Sequence, residues 1–168
     1  MHLRETIVQE LFDRILTVNL IFSTLVFYTA ARLYLLPRLG ALTPRSILIP
    51  ILLLHSLRHL GLMFLTRGAV YPGIAPEFAY PAALGDLVTA ILAFAAIPAV
   101  ANGWKSGRPL VFVFNTFGTL DLVVAITLAT VYDTAPYMGP AYWIPAFWVP
   151  ALLVTHYLTF ILLGKHWV

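Results

Sequence analysis

Several side chains capable of acid–base or ligand chemistry lie inside apolar stretches of this sequence. His55, Arg58 and His59 interrupt one stretch at spacings that place all three on one face of an α-helix. Asp86 and Asp121 each interrupt another stretch. Arginine stays protonated in any accessible environment, so Arg58 needs a counter-ion wherever water is excluded. We therefore expect it to pair with one or both carboxylates.

The charges of this group do not balance. One arginine beside two aspartates leaves one negative charge in excess, which invites a proton or a cation. This predicts a binding or relay site in which Arg58 is the anion anchor or counter-ion and Asp86 and Asp121 are acceptors. The alternative is a structural ion pair that fixes helix packing, because buried ion pairs are in themselves weak indicators of function.

The histidines allow cofactor hypotheses. His55 and His59 can ligate one metal ion from a single helical turn, and His156 could complete a site for zinc, iron or manganese. Arg58 on the same face would repel that cation. Alternatively, His55 and His156 are axial ligands of a membrane haem, with small residues beside the porphyrin at Gly61, Gly85 and Gly118. Without a cofactor, these histidines are packing groups or steps in a proton relay.

The composition places these residues in a membrane protein. Of 168 residues, 61% are hydrophobic and 10% are charged, and the mean hydropathy is +0.90. Soluble domains carry about 25% charged residues. The basic residues lie beside apolar segments rather than in one patch, which argues against nucleic acid as a partner. Cysteine is absent, which excludes disulfides and thiolate metal sites.

The predicted fold is a single all-α integral membrane domain, a bundle of five transmembrane helices. A hydrocarbon core of ~30 Å requires about 20 apolar helical residues. Five segments qualify: 15–36, 46–65, 81–102, 109–132 and 141–164. Prolines begin four of the five, where a missing N–H breaks no helical hydrogen bond. Others lie inside the spans and predict kinks: Pro50, Pro98, Pro145 and Pro150.

Residues 1–14 predict a short amphipathic extension of the first helix, because apolar residues recur there at helical spacing. Their three acidic residues and two arginines are untypical of a signal peptide, so we expect the first helix to be retained.

Basic residues beside the spans predict the orientation. Six lie at one end: Arg32, Arg38, Arg45, Lys105, Arg108 and Lys165. Three lie at the other: Arg4, Arg14 and Arg67. Because cytoplasmic flanks are enriched in lysine and arginine, we expect the amino terminus outside and the carboxyl terminus in the cytoplasm, at the plasma (inner) membrane if the protein is bacterial.

Two loops at the predicted outer end, 67–80 and 132–143, are rich in tyrosine, proline and glycine. Such composition is typical of the aromatic belt at lipid headgroups, which is the favoured interpretation. The alternative is a lid over a cavity that opens outward.

Helical rise of ~1.5 Å per residue predicts two polar layers at different depths. The outer layer holds Arg58, His59, Asp86 and Asp121, and the inner layer holds His55, Asn115 and His156.

These patterns support three functional hypotheses. The first is a non-enzymatic binding, relay or transport protein whose polar centre holds a small ligand, ion or proton. The second is a membrane oxidoreductase, or a haem- or metal-binding subunit. The third is a structural subunit of a membrane complex, in which the polar residues join helices of the same or another chain. The bilayer is a partner in all three.

Overall fold

The computed structural model describes the backbone of residues 2–165 and the side chains of Leu11 and of residues 14–164. Its α-helices are α1 (His2–Ala30), α2 (Pro44–Ser56), α3 (Pro76–Ala101), α4 (Gly107–Val131) and α5 (Val149–Lys165). With adjoining 3-10 and π-helical turns they form five helical segments long and apolar enough to cross a membrane: 14–38, 44–65, 76–101, 107–131 and 139–164. The prediction of five such helices is confirmed.

The outer surface of the bundle is apolar along its length. Large hydrophobic side chains point away from the core on every one of the five segments, among them Phe22, Leu53, Phe94, Leu120 and Phe160. A surface of this kind is expected to be stable in lipid hydrocarbon rather than in water. By length and composition, the five segments are therefore suited to cross a membrane.

Helix boundaries differ from prediction at three starts. The fourth helix begins at Gly107, two residues before Pro109. The third helix begins at Pro76, not Pro81, so the rule that proline occupies a first helical position holds but for a different proline. Pro81 lies about one turn further along the helix. Because proline has no N–H, one carbonyl near the helix start lacks its usual hydrogen-bond donor. The fifth segment begins not as α-helix but as a 3-10 turn, Gly139–Tyr142, followed by a π-helix, Ile144–Trp148.

The amino-terminal extension continues α1 without a break from His2. The side chains on which its predicted amphipathic character depends, apart from Leu11 and Arg14, lie outside the described residues.

The second segment changes helix type in its middle. Thr43 caps α2, accepting a hydrogen bond from the Ser46 amide at 3.3 Å, with Pro44 at the first helical position. From Leu57 to Leu65 the chain continues as a 3-10 helix. Nine residues are long for this conformation, which is usually confined to three or four. Arg58 and His59 lie in it.

Packing leaves a polar layer between two apolar cores. Helix α3 packs between α4 and the second segment, while α5 contacts α4 and α1. One core lies toward residues 38–45 and 102–108, here called the basic end, and includes Leu48, Leu52, Val111 and Leu162. The other lies toward residues 66–75 and 132–138, here called the loop end, and includes Phe64, Phe78, Met138 and Ile144.

Candidate functional site

Arg58 is the centre of the polar layer and is 1% exposed. Its Nε donates to Asp86 Oδ1 at 2.6 Å, and its Nη2 donates to Asp121 Oδ2 at 2.6 Å. Its Nη1 donates to the Gly118 carbonyl at 3.1 Å and to His156 Nε2 at 3.2 Å. Four of the five N–H groups of the guanidinium therefore have partners, on α3, α4 and α5.

The hydrogen bonds around His156 fix the position of its proton. Arginine can only donate, so His156 Nε2 accepts and Nδ1 carries the hydrogen. Nδ1 then donates to Asn115 Oδ1 at 2.7 Å, and Asn115 Nδ2 donates to the His156 carbonyl at 3.2 Å. Asn115 thus orients the imidazole toward Arg58 and ties α4 to α5.

His55 lies against His156, with ring centroids 4.3 Å apart, and is fully buried. Thr155 donates to carbonyls in its own helix, so it accepts from His55 Nε2 at 2.9 Å. His55 Nδ1 is consequently an acceptor, and among the described residues it has no hydrogen-bond partner. A buried acceptor without a partner is uncommon in folded proteins.

Three glycines make room for the charged and histidine side chains. A Cβ at Gly61 would collide with Asp86, and one at Gly85 would collide with Asp121. A Cβ at Gly118 would lie 2.7 Å from His156 Cε1 and 2.7 Å from Thr89. Each glycine therefore lets its helix approach a polar side chain of the next.

We call Arg58, Asp86, Asp121, Asn115, His156 and His55 the Arg58 site. The sequence predicted an outer and an inner layer for these residues, which could also merge. The Arg58–His156 hydrogen bond joins the outer pair of carboxylates to the inner histidine and asparagine in one network.

His59 does not belong to this network. Its ring is exposed on the outer face beside Leu87 and Ala90, and its Nδ1 lies 3.0 Å from the Ser56 carbonyl. The predicted shared face assumed an α-helix of ~100° per residue, whereas a 3-10 helix turns ~120°. That extra turn aligns Arg58 with His55 and rotates His59 away.

The predicted three-histidine metal site is therefore not formed. Within residues 14–164, no group of three or more His, Asp or Glu residues is arranged to hold a metal ion. The haem hypothesis fails on geometry too. Axial ligands face each other across a porphyrin, but the His55 and His156 rings touch, and the Nε2 atoms bond Thr155 and Arg58. The space beside the three glycines, where the porphyrin was expected to lie, is occupied instead by the side chains of Asp86, Asp121 and His156.

A cavity of about 140 Å³ leads from the Arg58 site toward the loop end. Asp86 lies at its inner limit, while the exposed residues Thr130 and Asp133 border it at the loop end. Its walls are mostly apolar and include Phe64 and Phe78. Asp86 Oδ1 is bonded to Arg58. The Asp86 side chain is 12% exposed and borders the cavity, where a guest can contact the carboxylate.

The two loops at this end pair with each other. The Tyr71 amide donates to the Tyr137 carbonyl at 2.9 Å, and the Ala141 amide donates to the Ala69 carbonyl at 2.8 Å. Met138, between these contacts, lines the cavity. The two loops are therefore hydrogen-bonded into one layer at this end, and Tyr71 and Tyr80 are exposed there.

Sequence reasoning missed three parts of the site. The Gly118 carbonyl and the Thr155 hydroxyl act as partners of Arg58 and His55, and neither has a sequence signature distinct from ordinary helix packing. The cavity is the third, because its apolar walls resemble any buried helix face.

The fold and site define an all-helical protein with five helices long and apolar enough to cross a membrane and with a buried arginine–carboxylate centre. The chain belongs to the DUF8737 family, a domain of unknown function, whose family model matches residues 15–164. The match contains every residue of the Arg58 site. No curated protein and no solved structure matches the chain.

Proposed function

We propose that this protein is inserted in a membrane with the loop end outside, and that the Arg58 site takes up a proton or a small cation from that side. The observation that carries the proposal is the charge of the site: two carboxylates, Asp86 and Asp121, face one guanidinium, and Asp86 opens on a cavity. Uncompensated charge in a low-dielectric interior is strongly unfavourable, so a positive guest is stabilised there.

Each residue has a defined role in this proposal. Asp86, which borders the cavity, holds the guest through its carboxylate, and Asp121 supplies the second negative charge. Arg58 fixes both carboxylates and limits the excess to one charge. His156 and Asn115 position Arg58, and His55 supports the His156 ring.

The packing favours uptake from one side over passage through the bundle. Between the site and the basic end, the helices are joined by buried apolar side chains, among them Leu48, Leu52 and Phe114. An ion or a proton would find few polar partners along that half. The cavity, in contrast, joins Asp86 to the loop end.

Infrared spectroscopy of the purified protein tests this proposal, since a protonated carboxyl has a C=O stretching band that a carboxylate lacks. Without added small cations, the wild type should show one such buried carboxyl. Asp86→Asn and Asp121→Asn should each abolish the band, because one arginine then balances one aspartate. Asp133→Asn, at the exposed mouth, is the matched control and should keep it. A wild type with neither the band nor a bound cation by elemental analysis would overturn the proposal.

A structural role is the second candidate. It is favoured by the number of hydrogen bonds that Arg58 makes across three helices and by the three glycines shaped around the site. In that case, replacing Arg58, Asp86 and Asp121 together by Met, Asn and Asn should preserve cellular function and change only thermal stability.

A further inference from the structure

We infer that the guest of the cavity is a small organic ammonium ion with an apolar body of about six non-hydrogen atoms. This rests on the proposed function and names the chemical class of its ligand. The size of the cavity, the chemistry of its walls and the charges at its two ends each limit the guest.

The size of the cavity limits the guest. A volume of about 140 Å³ is close to the ~150 Å³ of an engineered apolar cavity that binds benzene. A body of four to six carbons fits this space, whereas an acyl chain or a polycyclic molecule exceeds it.

The walls favour an organic over an inorganic cation. Inorganic cations such as Mg²⁺ and Ca²⁺ require six or more oxygen ligands or retained waters. Here Leu122, Ala125, Ile144 and other apolar side chains predominate. A hydrocarbon body gains free energy from burial against such walls, and a bare metal ion does not.

The charges select a cation. Among the described residues that line the cavity, the ionisable ones are Asp86 at its inner limit and Asp133 at its mouth, both acidic. Phe64 and Phe78 line the same wall, packed edge to face at 5.1 Å, and aromatic rings in a dry cavity attract ammonium groups. An ammonium beside the Asp86 carboxylate supplies the positive charge that the Arg58 site lacks.

Isothermal titration of the full-length protein in nanodiscs with butylammonium tests this inference. We expect saturable binding of one butylammonium per chain, with 1-butanol and butanoate at least tenfold weaker. Sodium should bind at least tenfold more weakly than butylammonium. The titration is repeated in nanodiscs with and without ethanolamine lipids. If the natural occupant is a lipid headgroup, ethanolamine lipids should weaken butylammonium binding by competition; if it is a free amine, the two compositions should give equal affinity.

Two variants locate the site. Asp86→Asn should weaken butylammonium binding at least tenfold. Since this change also affects an ion pair, Ala129→Phe provides an independent measurement: it fills the cavity from its wall and leaves the Arg58 site intact. It should abolish binding, while Ala95→Phe, on the exposed face of α3, should not.

The outcomes separate the inference from the proposal on which it rests. If the infrared carboxyl band is present and butylammonium does not bind, the site takes only a proton and the inference is wrong. If butanol binds as tightly as butylammonium, or Ala129→Phe leaves binding unchanged, it is also wrong. A missing carboxyl band and no bound cation would remove the proposed function itself.

Discussion

Arg58 has a geometric role that another cation could not take over. The guanidinium is a planar fork, and its separate N–H directions reach Asp86, Asp121 and His156 on three different helices. A lysine at this position would supply one ammonium, whose three N–H donors all belong to a single nitrogen atom. The identity of the residue, and not only its charge, therefore determines how the three helices meet.

Removing the guanidinium alone should be strongly destabilising. Arg58→Met leaves two buried carboxylates uncompensated, which in buried ion pairs costs about 3–5 kcal/mol. Adding Asp86→Asn and Asp121→Asn should restore most of that stability, because no buried charge then remains. Thermal unfolding of the three proteins in the same detergent measures the effect. A single variant as stable as the triple variant would contradict this account of the charges.

At the residue scale, the sequence predicted which polar groups matter better than how they are arranged. The pairing of Arg58 with both aspartates follows from its permanent charge and needs no structure. The position of His59 could not be predicted, because it depends on a change from α to 3-10 geometry at Leu57. Helix type in this segment is set by packing against α3 and leaves no pattern in the residues themselves.

At the scale of elements, the helices approach one another through a repeated contact. Gly61 of the second segment receives Asp86 of α3, Gly85 of α3 receives Asp121 of α4, and a third glycine of α4 receives a histidine of α5. Without a hydrophobic driving force between helices in lipid, close backbone approach and polar contacts provide much of the association energy. The glycines and the polar side chains that pack against them therefore hold the helices together as one set of contacts.

Gly85→Ala tests this set of contacts. The added Cβ would occupy the place of the Asp121 carboxylate, so the helices or the ion pair must shift, and overpacking of this kind costs about 1–3 kcal/mol. Gly164→Ala in α5 is the matched control, because nothing lies within 4 Å of its added Cβ. There, alanine should be neutral or stabilising by up to ~1 kcal/mol. Equal melting temperatures for the two variants would show that Gly85 has no packing role.

The helix boundaries show where sequence rules apply at this scale. The rule that proline occupies the first turn of a helix applies to α3. Two prolines five residues apart, Pro76 and Pro81, satisfy that rule equally well in the sequence, and the helix begins at the first of them. The π-helical turn before α5 could not be predicted either, since its Ile144–Trp148 stretch has the composition of an ordinary apolar helix.

At the scale of the whole molecule, length and hydropathy were sufficient to predict the five apolar helices. Each of the five is longer than the about 20 residues that a bilayer requires, and the mean hydropathy of each is at least 1.4. The cavity could not be predicted, because it results from the way α1, α3, α4 and the chain before α5 meet around Asp86.

The orientation of the bundle decides which compartment the cavity faces. The basic end carries Arg38, Arg45, Lys105 and Arg108, so the positive-inside rule predicts that this end faces the cytoplasm. The cavity would then open to the outer side, and a ligand from outside the cell could reach Asp86 without crossing the apolar core. The opposite orientation would make the same site a receptor for a cytoplasmic cation.

Cysteine labelling can determine this orientation, since the natural sequence contains no cysteine. Glu77→Cys and Ser106→Cys place single thiols at exposed positions of the loop end and the basic end, respectively. A membrane-impermeant maleimide should label Glu77→Cys in intact cells and Ser106→Cys only after permeabilisation. Equal labelling after permeabilisation controls for reactivity. The reverse pattern in intact cells would place the mouth of the cavity in the cytoplasm, and uptake from outside would then be excluded while the Arg58 site retained its charge imbalance.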